Sequence, residues 1–342
     1  QHFSFDIDLK NTTLLTGLLV PNLTKFVPGE IKGEFDSEAQ KLDLRMEINE
    51  LQYANIGIDS FVFTTSSNRK ALRFDLVADK IRVDSMKIDG LEIGGSVADD
   101  SIRTNLVILD SVSKEKYVLA GTFFSREPGF ELRLSPHGTV LNYQNWTAPV
   151  DNYMRFGGEK FIARNVSLVN RREKIVIESK PDPGSPISIG FRELNLEYLS
   201  SMIAEEKPLS GLVDGDIHLF PDTAGMSFTA DIGIGDFRLK QIPWGDLALQ
   251  VEQKVRNRFD VNLALTGNHN DVTLRGFYTG GESAGMDLTL KLNRFHLPSI
   301  QPLIGNQVQN LSGALSGQIQ VRGTPERPDV EGSVRVQEAR FL

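Results

Sequence analysis

Asp214 and Asp216 stand two residues apart in the stretch Leu209-Ser-Gly-Leu-Val-Asp-Gly-Asp-Ile-His-Leu219. On a strand this spacing puts both carboxylates on one face, about 7 Å apart, a separation compatible with paired-carboxylate hydrolysis. The chain itself argues against that use, because it writes the stretch again as Leu311-Ser-Gly-Ala-Leu-Ser-Gly-Gln-Ile-Gln-Val321, a displacement of 311 − 209 = 102 residues. Ser316 and Gln318 stand where the carboxylates were, so the pair reads as polar side chains on a wet face. The five histidines, His2, His137, His218, His269 and His296, show no metal-ligand spacing. Gly233-Ile-Gly235 and Gly280-Gly281 lack the partners that a phosphate-cradling loop needs, and there is no nucleophile elbow. Trp146 and Trp244 adjoin turn residues and read as aromatic caps on a core. Asn22, Asn145 and Asn165 open Asn-X-Ser/Thr sequons, which matter only in a eukaryotic secretory pathway. These residues predict a protein that is not an enzyme and holds no metal or cofactor.

The elements that carry those residues are strands. Gly211, Val213, Gly215, Ile217 and Leu219 share one parity, as do Gly313, Leu315, Gly317, Ile319 and Val321. Such alternation marks a strand with one dry and one wet face. Glycine on the dry side removes bulk and lets another backbone approach. The copy continues from Asp231-Ile-Gly-Ile-Gly-Asp-Phe-Arg-Leu239 to Ser333-Val-Arg-Val-Gln-Glu-Ala-Arg-Phe341 at the same displacement. A weaker third copy lies at Val27-Pro-Gly-Glu-Ile-Lys-Gly-Glu-Phe35, where Gly29 and Gly33 align on Gly211 and Gly215, and Met46 and Ile48 on Ile232 and Ile234. A module that cannot bury its own dry face must stack on its neighbours.

Composition agrees. The chain has 342 residues, 40% of them hydrophobic, with 30 Gly and 15 Pro as punctuation, which predicts an all-β chain. A formal net charge of −8 with interspersed signs argues against a nucleic-acid partner, since phosphate backbones call for clustered Lys and Arg. The absence of cysteine excludes disulfides and thiolate metal sites. The longest strongly apolar run, Leu14 to Val20, is too short for a bilayer, which needs about 20 residues. The chain reads as an excised piece of something longer.

Short alternating runs fill the centre, among them Leu72, Phe74 and Leu76, then Leu119, Gly121 and Phe123, then Phe130, Leu132 and Leu134. The tract Asn142 to Phe156 breaks the alternation as a crossing loop, and Pro181 to Pro186 is the strongest linker signal. Phe191, Leu194, Tyr198, Leu199, Met202 and Ile203 follow helical spacing and predict a short amphipathic helix before the Leu209 strand. Leu297, Ile300, Leu303 and Ile304 repeat the arrangement, with Pro298 at a first helical position. Three regions follow: 1–190, β-rich with the degenerate copy; 191–292, the repeat unit; and 293–342, the start of the next.

The tail from Leu311 to Val336, with Trp146 to Asn170 and especially Asn152-Tyr-Met-Arg-Phe-Gly157 and Ile162-Ala-Arg-Asn-Val-Ser-Leu168, resembles the recurring units of the TamB family, AsmA-like proteins of the Gram-negative envelope. The likeness is one of pattern and glycine spacing over about half the chain. It implies an elongated β-sheet curled into an apolar trough, in a periplasmic protein anchored in the inner membrane and reaching an outer-membrane barrel partner. It also implies phospholipid transport along the trough and support of outer-membrane protein assembly.

On that reading the residues lining the groove are Ile217, Leu219, Phe228, Ala230, Ile232, Ile234, Leu263, Leu265, Leu288, Leu290, Ile319, Val321, Val334 and Val336. Alternation alone does not separate an open groove from a closed sandwich. A second reading is a scaffold that offers strand edges to nascent outer-membrane proteins. A third, a β-solenoid enzyme acting on polysaccharide, lacks a carboxylate cluster that survives the repeat.

Overall fold

The computed structural model describes residues 2–8, 20, 22–83, 86–157, 160–180, 182, 185–203, 209–222, 225–281, 284–301 and 311–340. Most of the run Leu14 to Val20, most of the Pro181 linker, Leu303, Ile304, Phe341 and Leu342 lie outside them. The chain is almost wholly β, in two large antiparallel sheets, neither closed into a barrel. It divides into two units, 1–170 and 171–342.

The first unit contains β1 (His2–Asp8), β2 (Leu23–Asp36), β3 (Lys41–Tyr53), β4 (Ile56–Ser67), β5 (Leu72–Val83), β6 (Met86–Ile88), β7 (Gly90–Ala98) and β8 (Ser101–Leu109). It goes on through β9 (Glu115–Arg126), β10 (Gly129–Leu134), β11 (Thr139–Leu141), β12 (Gln144–Trp146), β13 (Tyr153–Gly157), β14 (Lys160–Arg164) and β15 (Val166–Asn170). β1 to β5 lie side by side in chain order, followed by β7 to β10, β13 and β14, while β6 adds to β5 and the β11–β12 hairpin to β9. Register joins Ile7, Ile31, Met46, Phe63, Leu76, Ile93, Leu106 and Leu119 into one apolar row across eight strands. The tract Asn142 to Phe156 contributes β12 and most of β13. Between them the buried Asn152 amide holds the backbone of Leu134 through both its N–H and its C=O.

The second unit runs β16 (Glu173–Ser179), β17 (Ile187–Asn195), α1 (Leu196–Ile203), β18 (Leu209–Asp222), β19 (Gly225–Leu239), β20 (Ile242–Val255) and β21 (Arg258–Gly267). It continues with β22 (Asn270–Thr279), β23 (Gly285–His296), a 3-10 helix (Leu297–Ile300), β24 (Ser312–Thr324) and β25 (Arg327–Arg340). β16 to β25 lie in chain order.

The repeat holds at the level of register. Val213 faces Ile234 and Leu315 faces Val336, while both copies carry a bulge after the first strand residues, at Ser210/Leu212 and Ser312/Ala314. Even the left-handed residues are copied, since Asp236 and Glu338 both have φ 50°. Gly215 and Gly317 sit at φ 145° and 150°, and a Cβ on either would come within 2.1 Å of a carbonyl oxygen on the next strand. Only glycine allows that approach. The third copy differs: Gly33 faces Leu44 rather than Met46, and neither Gly29 nor Gly33 has a positive φ.

The helix begins later than its spacing predicts. Phe191 and Leu194 belong to β17, where a bulge between them, with Glu193 at φ 46°, leaves both on the apolar side although they are three residues apart. A bulge inserts one extra residue into the alternation, and three-residue spacing on a strand then mimics a helix.

Candidate functional site

In the second unit the cross-strand register aligns the dry parity of β16 to β25 into three adjacent rows. One runs Ile177, Ile189, Ile217, Ala230, Val251, Val261, Gly276, Leu288, Val321, Val330. Its neighbour runs Ile175, Phe191, Gly215, Ile232, Leu249, Leu263, Leu274, Leu290, Ile319, Gly332. Each crosses ten strands without a charged or polar side chain. With a spacing of about 4.8 Å between strands, nine steps extend roughly 43 Å along the sheet.

Every residue of these two rows keeps some contact with solvent. The third row is different. It runs Leu194, Val213, Ile234, Leu247, Leu265, Val272, Leu292, Gly317, Val334, and Leu194, Val213, Leu265, Val272 and Leu292 are buried. Short helices account for the change. α1 packs on β18, and the 3-10 helix packs on β20, β23 and β24. Leu297 is buried in that helix, and Phe237, Trp244, Phe295 and Leu315 border a buried cluster of Leu265, Val272 and Leu292. Trp244 meets Phe237 and Phe295 edge-on, with centroids 6.1 and 5.6 Å away, as expected of an aromatic cap. The apolar face is thus closed along one margin and reached by water over the rest.

All fourteen residues predicted to line a groove share this face, though not one environment. Ile217, Leu219, Phe228, Ala230, Ile232, Ile234, Leu263, Leu288, Leu290, Ile319 and Val321 are half-buried. Val334 and Val336 on β25 are exposed, and Leu265, at 3% exposure, belongs to the buried cluster with Val272 and Leu292. The same rows hold Leu249, Val251, Val261 and Leu274, which were not among the fourteen. Their signal was the alternation in Leu247-Ala-Leu-Gln-Val251 and in the runs Phe259 to Leu265 and Val272 to Phe277.

The opposite face is polar and linked by side chains. Gln250 donates to Asp231 at 3.4 Å, Asn262 to Gln250 at 3.2 Å and Arg275 to Asn262 at 3.1 Å. Asp216 pairs with Arg192 at 3.1 Å, and Asp214 accepts the Glu193 backbone N–H at 3.0 Å. Both carboxylates therefore hold the β17–β18 pair together, and Asp216 faces Asp231 across the next strand. Ser188 Oγ lies 2.8 Å from His218 Nδ1 on this open polar face. Among the described residues no group of three or more His, Asp or Glu side chains is arranged to hold a metal ion.

No family model, curated protein or solved structure matches this chain.

Proposed function

We propose that this chain is a segment of a TamB-like periplasmic bridge, whose apolar face accommodates phospholipid acyl chains between inner and outer membranes and supports outer-membrane assembly. One observation carries the reading: two adjacent apolar rows cross ten strands uninterrupted and remain in contact with solvent. A lipid in water exposes each acyl chain at about 0.8 kcal/mol per CH₂, so on the order of 12 kcal/mol for a chain of about 15 such groups. A continuous dry path removes that barrier at every step, and rows without hydrogen-bonding groups bind chains with little regard to their identity. The inner-membrane anchor and the barrel partner belong to the same proposal for the parent protein.

The test is organic extraction of the purified chain followed by lipid mass spectrometry. Ile232, flanked by Gly215 and Leu249, is the site for a mid-path charge. Stoichiometric phospholipid in the wild type, displaced in Ile232→Arg with the strand signature retained, is the expected result. A wild-type chain free of lipid sinks the conduit.

A second reading, a strand scaffold for nascent outer-membrane proteins, has its own observation. β25 is exposed at every residue and, among the described residues, pairs only with β24. It requires peptide binding in the absence of lipid.

A further inference from the structure

We propose that the polar face of the first unit carries an anion site, built by Arg126, Arg133 and Arg155 around the buried Glu131, which takes the phosphoryl group of an anionic lipid headgroup. The site uses other side chains and another unit than the two solvent-contacting apolar rows of the second unit, so it stands or falls independently of them.

Glu131 has no solvent exposure, yet both of its oxygens are engaged by side chains that are about half exposed. Oε1 accepts from Arg133 Nε at 2.8 Å and Oε2 from Arg155 Nε at 2.6 Å. The carboxylate thus acts as an internal orienting group, as a buried acid does behind a metal-ligating histidine. Aromatic rings complete the support. Arg133 and Arg126 lie over the Phe124 ring at 5.2 and 5.5 Å, and Arg155 lies over Tyr153 at 4.8 Å.

The chemistry selects the ligand. A guanidinium presents five N–H donors in a planar fork that matches phosphate oxygens, and Glu131 leaves most of those donors free. Three arginines against one carboxylate leave a local charge of +2 in a chain of net −8. Among the described residues, Glu127 in the β9–β10 turn and Asp151 before β13 stand one and four residues from these arginines in sequence and pair with none of them, Asp151 accepting instead from Asn165 at 2.6 Å. A patch of this size suits one or two phosphoryl groups. An extended nucleic acid would meet the surrounding acidity. Arginines near an anionic leaflet are attracted to its surface, and the aromatic supports suit a headgroup-level position.

The experiment uses the full chain and two probes: inorganic phosphate, followed by the NMR shifts of the arginine Nε–H groups, and sedimentation with phosphatidylcholine vesicles with or without phosphatidylglycerol. Glu131→Gln/Arg133→Gln/Arg155→Gln removes the site without stranding a buried charge, and Arg126→Gln removes a flank that makes no ion pair among the described residues and donates to Ser125 O. Arg258→Gln, in the second unit, is the charge control. The triple variant is expected to lose about tenfold or more in binding to the anionic vesicles, Arg126→Gln less and the control nothing. Phosphate should compete in the wild type, and co-purified lipid should be the same in all variants. Phosphate binding lost in the triple variant while vesicle binding stays unchanged overturns the headgroup as the source. Undiminished binding of both probes overturns the site, and if the triple variant does not fold, Arg126→Gln decides alone.

Discussion

Glu131 shows how a charge can sit in a β-sheet without solvent. Burial pushes its carboxyl pKa up, and the hydrogen bonds and charges of Arg155 and Arg133 outweigh that, so the group is held below its ordinary value of 4.5. A carboxyl with a lowered folded pKa contributes stability that is complete above the unfolded value and is lost as pH falls through the folded one. Urea unfolding of the wild type should therefore lose stability as pH drops below about 4.5, and Glu131→Gln should flatten part of that loss while being less stable at pH 7. An acid limb identical in the two proteins would remove Glu131 from this role. None of this cluster was singled out in the sequence, because its members come from three strands. The legible trace was a two-residue spacing written three times, in Phe124-Ser-Arg126, Glu131-Leu-Arg133 and Tyr153-Met-Arg155, which places each pair on one face of a strand.

Single elements were legible where the alternation was clean and misread where a bulge broke it. Bulges fall between Phe191 and Leu194, Ile234 and Phe237, and Leu292 and Phe295, and each keeps two apolar residues on one face at a spacing that belongs to helices. The 3-10 helix depends on a partner that no local pattern shows, whereas α1 has a local cap. Asn270, 4% exposed, donates to Trp244 O at 2.8 Å and Ser299 Oγ at 3.2 Å, and accepts the His296 N–H at 2.8 Å. It ties β22 to the start of the 3-10 helix, while Asn195 Oδ1 accepts the Glu197 N–H at 2.9 Å at the start of α1. Asn270→Ala should cost about 2 kcal/mol, since it leaves buried polar groups unpaired. It should also speed amide exchange across His296 to Ile300 more than in β21. Unchanged exchange there would mean that apolar contacts alone hold the 3-10 helix.

Across the whole molecule the accessible area is 21058 Å² for 38.0 kDa. Two separate compact bodies, each of half that mass, would together expose roughly 16,700 Å². The two apolar rows contribute to that area, since every one of their residues keeps contact with water. All-β character and the shared face of the fourteen residues expected to line a groove were readable from period two, whereas their contact with water was not, because a covered and an uncovered face demand the same alternation. A dye that fluoresces on apolar surface, such as ANS, should light up on the native chain and lose intensity when phospholipid is added, whereas a native chain dark to ANS would mean that the rows are closed in solution. The repeat has a further consequence. β24 lies six strand positions along the sheet from β18, and an even step is required for an antiparallel copy to return with the same chain direction and the same dry face. In-frame duplication or loss of the corresponding 102 codons is therefore a silent operation on register, lengthening or shortening the sheet by roughly 29 Å without reinventing a single side chain, so that genomes could set the span of such a protein by recombination alone.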